Sequence, residues 1–148
     1  MKKIILLLIL FIASVGMTGF SGTSPKGDFY YMHPQNTTTS GLIEIAENGC
    51  YLEYDIFGLE SSYNPATIQD MSSDGQRIDY LKYLISKGYE KQIVIAQDIC
   101  TKHRLQKYGG HGFSHIIENV IPHMIEKGMS RKQIDNIIIN NPAGILAI

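Results

Sequence analysis

Asp98 stands two residues beyond the apolar run Ile93-Val94-Ile95-Ala96. A carboxylate at the C-terminal end of a strand can ligate a divalent metal or act as base on metal-bound water. An Asp in that position can also simply cap a turn. The stretch that follows is rich in reactive types. Lys102-His103-Arg104 and Lys107-Tyr108-Gly109-Gly110-His111-Gly112 place cations, imidazoles and glycines in one loop. Glycines let a backbone approach a ligand closely, and Arg or Lys can orient an anionic group. His111 and His115 are four apart, the spacing of two ligands on one helix face, yet the glycines around His111 place it ahead of the helix and leave His115 as a packed residue. His123 reads as a surface histidine. Glu53 and Asp55 are two apart in an apolar segment, so on a strand they point to the same side. A structural hydrogen-bonding role is expected of that pair, with Asp55 the nearer to any site.

These residues need elements to hold them. Phe29 to Met32 reads as a short strand ending at His33-Pro34, and Leu42, Ile43, Ile45 and Ala46 have helical spacing up to Asn48-Gly49. Cys50 to Phe57 is a second strand. Ser73 or Asp74 caps a helix whose apolar face is Ile78, Leu81, Leu84 and Ile85, with Gly88 at its end. Gln92 to Ala96 is a third strand, and its continuous apolar character predicts burial on both faces. Phe113 to Glu126 is helical, and Ser130 caps a last helix that Asn141-Pro142 breaks. Strand and helix alternate, which argues for an α/β fold with a parallel sheet. Long loops, Gly58 to about Ser72 and Gln97 to Gly112, leave the second and third strands at their C-terminal ends, where such sheets place their active sites.

The chain has 148 residues, 44% of them hydrophobic and 18% charged, with a net charge of −1. That balance offers no basic stripe for nucleic acid and no acidic tail. Lys2 and Lys3 precede the apolar run Ile4 to Met17, and small or turn-forming residues fill Thr18 to Ser24. The pattern is that of a secretory signal, and the run is shorter than the roughly 20 residues of a membrane span. Export is expected, with cleavage near Gly22 and residues 23–148 as the mature domain. An uncleaved membrane anchor is the alternative. Asn36-Thr37-Thr38 is a glycosylation sequon that matters only on export. Cys50 opens one strand and Cys100 follows another, so parallel neighbours would set the sulfurs at opposite ends of the sheet and leave them unpaired.

From Leu42 onward the chain resembles a known family. Gly49 to Gly58 (GCYLEYDIFG), Gln97 to Leu105 (QDICTKHRL), Lys107 to Ile117 (KYGGHGFSHII) and Asn140-Asn141-Pro142-Ala143 are similar to the phosphotriesterase-related branch of the amidohydrolase superfamily. The resemblance implies a (β/α)8 TIM barrel with a two-metal centre, usually zinc, whose metal-bound hydroxide hydrolyses phosphotriesters, lactones or amides. It places Asp98 as the metal ligand that ends the eighth strand and takes the proton of the water. The three strands then correspond to barrel strands six, seven and eight. Tyr108, His111 and Arg104 become the expected substrate-binding residues.

The chain also departs from that pattern. The family uses a His-x-His pair on strand one, a bridging Lys or Glu on strand four, and histidines on strands five and six. No His-x-His occurs, and the one histidine ahead of Asp98 is His33. His33 matches either the fifth- or the sixth-strand metal ligand. A (β/α)8 barrel takes about 250 residues. The expectation is therefore a partial barrel of about three βα units, a C-terminal piece of a metal-dependent hydrolase, with a small-molecule substrate in the complete fold but no activity as this isolated chain. A non-catalytic exported remnant that binds a partner, or an incompletely read gene, are the rival readings. Open strand edges would drive self-association or recruit a complementary half-barrel.

Overall fold

The computed structural model describes residues 21–24, 27–31, 39–60 and 71–146, with side chains from 39 onward in those ranges. The apolar run Ile4–Met17, His33 and the Asn36 sequon lie outside them. No helix among the described residues is long and apolar enough to cross a membrane.

Four strands form one sheet in the order β1 (Ser21–Ser24), β2 (Gly27–Tyr31), β3 (Tyr51–Tyr54) and β4 (Ile93–Ile95). β2, β3 and β4 are the parallel strands expected from the alternation, in register Phe29↔Tyr51 and Leu52↔Ile93. β1 was not expected. Ser21–Ser24 runs antiparallel to β2, so a segment that reads as a polar exit and linker instead forms a hairpin with it. The sequence Ser-Gly-Thr-Ser has neither alternation nor strong strand preference, and pairing with an available edge decides its state. The open edge expected on β2 is therefore covered by β1. The boundary near Gly22 falls inside this strand.

Helix α1 (Thr39–Glu47) joins β2 to β3, and α2 (Asp74–Ser86) joins β3 to β4. Ser73 accepts from the Gln76 N–H at 3.2 Å, and the Gln76 side chain accepts from the Ser73 N–H at 2.8 Å. This reciprocal cap satisfies two donors of the first turn. The core lies between the sheet and the helices. Leu52, Tyr54, Ile93 and Ile95 meet Leu42, Ala46, Ile78, Leu81 and Leu84, with Val120, Met124, Ile134 and Ile137 from the last helices. Because side chains alternate along a strand, Glu53, Asp55 and Val94 point to the other face. All three are nonetheless buried, so β4 is covered on both sides as its composition predicts.

Two prolines shape the C-terminal helices. A π-helical turn, Ile116–Val120, runs into α3 (Ile121–Glu126), and another, Asn136–Asn140, joins α4 (Arg131–Asp135) to α5 (Asn141–Leu146). Each wide turn ends two residues before a proline, Pro122 or Pro142. Proline has no N–H to give and its ring crowds the carbonyl four residues back. Widening the preceding turn relieves that clash, and the helix continues. The break expected at Asn141-Pro142 is thus a π turn followed by another helix. Asn141, buried, donates to the carbonyls of Glu90 at 2.8 Å and Ile93 at 2.7 Å. It fastens α5 to the start of β4, the outer strand of the described sheet.

Candidate active site

The loops leaving β3 and β4 meet at the C-terminal end of the sheet. Between them lies a cleft of about 510 Å³, walled on one side by Phe57, Gly58, Leu59 and Glu60, and on the other by Gln97, Ile99 and the 103–112 loop. Asp98 itself is not among the residues lining the cleft, although its neighbours Gln97 and Ile99 are, and it is held by an unusual backbone. It is the one non-glycine among the described residues with positive φ, at 43°. Left-handed conformations cost a residue with a Cβ about 1 kcal/mol or more, though Asp tolerates them better than most. The turn is stabilised by Arg104, whose guanidinium donates to the carbonyls of both Gln97 and Asp98, and by the Cys100 N–H, which donates to the Asp98 carbonyl at 2.9 Å. The Asp98 carboxylate lies 3.9 Å from Arg104 Nη1 and is 31% exposed.

Two further carboxylates share this end of the sheet. Burial pushes the Glu53 carboxyl up to about 7, with the Asp98 charge adding to the effect. Burial likewise raises Asp55 to about 7, with repulsion from Glu53 and then Asp98 adding to it and Arg104 opposing. Asp55 Oδ1 is buried without a hydrogen-bond partner. Three acids in mutual repulsion, one with an orphaned oxygen, form a region where a positive charge would be stabilised.

Behind the cleft wall, against Gly58 and His111, lies a second cluster, which the sequence did not signal as a group. Asp74, at the start of α2, accepts from the Gly58 N–H at 2.9 Å, from Arg77 Nη1 at 2.5 Å and from His115 Nε2 at 2.6 Å. Arg77 is fully buried and also donates to the Leu59 carbonyl at 2.6 Å. His115 accepts from Asn119 Nδ2 at 3.1 Å. Its ring stacks on His111, centroids 4.2 Å apart and planes 27° from parallel. Gly58 makes this approach possible: at φ 84°, a Cβ there would stand 2.8 Å from His115 Cδ2.

The expected site residues thus have different fates. Asp98 is at the end of β4 as expected. His111 lines the cleft, ahead of the helix, and its spacing to His115 yields a ring stack. Arg104 also lines the cleft, but it is buried and its guanidinium is engaged by main-chain carbonyls, which makes it a support for the Asp98 turn. Tyr108 is half exposed and is not among the residues lining the cleft; Lys102 and Lys107 each approach its ring at 5.7 Å. Glu53 and Asp55, expected to be satisfied structurally, are instead buried acids with one oxygen unpaired. Cys50 and Cys100 are free thiols. Asp74, Arg77 and Asn119 carried no chemical signal in sequence beyond the possible cap at Asp74. An Asp and an Arg three apart at a helix start is a common surface pair, and only tertiary packing buries this one.

Residues 32–146 match the model of the Phosphotriesterase family, and the chain belongs to that family. It is 55% identical over 102 residues to an N-acetyltaurine hydrolase of Danio rerio, covering 68% of this chain and 29% of the relative. It is 51% identical over 104 residues to a phosphotriesterase-related protein of Nematostella vectensis, covering 70% and 30%. The chain therefore spans about three tenths of the length of these curated relatives. Among solved structures, the fold matches a resiniferatoxin-binding protein from Rhodobacter sphaeroides with a TM-score of 0.70 at 23% identity, covering 76% of this chain and 33% of that one. It also matches a phosphotriesterase homology protein of Escherichia coli, solved with phosphate in its active site, with a TM-score of 0.68 at 20% identity, covering 79% and 37%. These neighbours are TIM-barrel proteins, and the described chain is α/β like them.

Enzymes of this family are metal-dependent hydrolases. Asp98 is a donor of the right type, a partly exposed carboxylate at a strand's C-terminal end. The described residues do not complete a metal site by themselves: no three His, Cys, Asp or Glu among them are grouped to hold an ion.

Proposed function

We propose that this chain provides the last three βα units, strands six to eight, of a phosphotriesterase-like hydrolase barrel. Asp98 is its contribution to a divalent metal centre, with zinc as the metal. When bound, the metal would supply an activated water for hydrolysis of an ester, lactone, phosphotriester or amide bond. An amide is the favoured bond, because relatives at about half identity are named N-acetyltaurine hydrolases. The observation that carries the reading is the placement of Asp98. It lies in the turn that follows the last described parallel strand, and that left-handed turn is held by Arg104 inside the family-matching span. His111 and the glycine loop wall the cleft beside it and would contact substrate.

The remaining ligands, including any from His33, lie outside the described residues. We infer that these 148 residues alone do not turn over substrate. A second reading, a non-catalytic exported protein that binds a partner, draws support from the same lack of a grouped ligand set. Self-association or a complementary half-barrel would cover the outer edge of β4, and the Lys2–Met17 segment would direct export or anchoring.

The test supplies strands one to five from a relative as a separate chain and measures zinc content and amide hydrolysis. The completed barrel is expected to bind zinc and hydrolyse N-acetyltaurine, and Asp98→Ala to lose both. Unchanged zinc content and rate in Asp98→Ala would remove the assignment. Turnover by the 148-residue chain alone would overturn the inference of inactivity.

A further inference from the structure

One buried carboxylate holds both walls of the cleft. Asp74 accepts the Gly58 N–H at 2.9 Å and is paired with Arg77, which in turn holds the Leu59 carbonyl. Its backbone N–H donates to Glu60 Oε1 at 2.5 Å. Gly58, Leu59 and Glu60 are the wall contributed by the loop after β3. The same carboxylate accepts from His115 Nε2 at 2.6 Å, and His115 carries His111, part of the opposite wall, on its ring face.

The protons on His115 are assigned by its partners. Asn119 Nδ2 donates to Nδ1, so Nδ1 carries the lone pair and Nε2 carries the hydrogen given to Asp74. A ring bonded at both nitrogens cannot rotate about its Cβ–Cγ bond without breaking both bonds. The π turn Ile116–Val120 that precedes Pro122 contains Asn119, so the wide turn and the imidazole clamp belong to one device. Gly58 packs against both imidazoles with only a hydrogen: a Cβ there would stand 2.8 Å from His115 Cδ2 and 3.4 Å from His111 Cδ2.

We propose that Asp74 and His115 are positioning residues, a buried carboxylate–imidazole brace that sets the orientation in which the His111 ring faces the cleft. The brace acts on His111 through the ring stack and on residues 58–60 through Gly58 and Arg77. It rests on the proposed function only in taking the cleft as the place where substrate sits; its geometry stands apart from turnover. A device of this kind fixes a cleft imidazole without spending any of its own nitrogens, leaving both free for a ligand. That differs from the engagement of Arg104, whose donors are consumed by the backbone.

The test is a long-range 1H–15N correlation spectrum of the histidine rings in the full chain. For His115 the expected signature is a protonated Nε2 and an unprotonated Nδ1. A protonated Nδ1 with a bare Nε2 would overturn the brace without any variant. Asp74→Asn is then expected to shift the ring signals of both His115 and His111 while those of His103, which touches neither, stay in place. Should that variant fail to fold, His115→Gln keeps a donor toward Asp74 but removes the stacking face. In it the His111 ring signals are expected to move to those of a free, rotating imidazole. His111 signals that remain at their wild-type positions in either folded variant would overturn the proposal. Absence of hydrolysis in the completed wild-type barrel, with the expected His115 and His111 signatures observed, would count against the functional reading alone.

Discussion

Replacing Asp74 by Ala removes the acceptor that serves Arg77, Gly58 and His115 at once. The largest consequence is for Arg77, which is fully buried and whose guanidinium burial already disfavours as a cation, with Asp74 the first of the groups opposing that effect. Removing one partner of a buried ion pair costs about 3–5 kcal/mol, because the other charge is left uncompensated. The orphaned Gly58 N–H would add on the order of 1–3 kcal/mol if it stayed dry. Neighbouring losses do not add fully, so the expected total is about 4 kcal/mol. Against a domain stability of about 5–15 kcal/mol this is a large fraction. Of what remains around Arg77, the Leu59 carbonyl and the Phe57 ring 5.8 Å away carry no net charge, and the carboxylates of Glu60 and Asp55, weaker influences than Asp74, offset its charge only in part. The assay is urea unfolding followed by circular dichroism, reading the midpoint at constant slope. Adding Arg77→Met in the Asp74→Ala background removes the stranded charge and should recover a good part of the loss. A loss below about 1 kcal/mol for Asp74→Ala, the range of an exposed pair, would mean that Arg77 does not depend on a buried partner. So would a double variant no more stable than Asp74→Ala.

Three further outcomes follow from the same geometry. Glu53 and Asp55 have folded-state values of about 7 against 4.5 and 3.8 for the free groups, so the folded chain holds their protons more tightly. Their contribution is therefore fully present below about pH 4 and is lost as pH rises through 7, on the order of 3 kcal/mol for Glu53 and 4 for Asp55 taken singly at 1.4 kcal/mol per unit, and less than the sum together because Glu53 repulsion is part of the Asp55 shift; thermal melts at pH 5 and pH 8 should show the higher midpoint at pH 5, and Glu53→Gln with Asp55→Asn should flatten the difference. Asn141→Ala strands the Glu90 and Ile93 carbonyls and should cost about 2 kcal/mol, with faster hydrogen exchange at β4; unchanged protection there would show that α5 does not secure that strand. Gly110→Ala drives a Cβ into the Arg104 backbone, which cannot give way as a flexible side chain would; a loss of about 1–3 kcal/mol together with altered amide signals at Gln97 and Asp98 is expected, and a neutral variant would mean the loop relaxes freely.

The parallel core of this protein and the position of Asp98 just beyond β4 are legible in short stretches of sequence. Period and composition are local properties: the apolar run at Ile93–Ile95, the caps Ser73 and Ser130, and the glycines after α1, α2 and α3 are each readable from a few neighbouring residues. The family strings carried Asp98 to the end of β4 for the same reason. Other features depend on residues distant in sequence. Ser21–Ser24 is a strand because β2 offers an edge, and nothing within those four residues says so. Asn141-Pro142 continues a helix because Asn141 finds the Glu90 and Ile93 carbonyls about fifty positions away and the preceding turn can widen. Arg104 serves the backbone because the loop folds over it, although its type and place suggested a substrate contact. Asp74, His115 and Gly58 form one cluster because the loops after β3 and β4 converge. A buried charge is stable only where several partners arrive together, and that convergence is written in packing, with no local trace in the sequence.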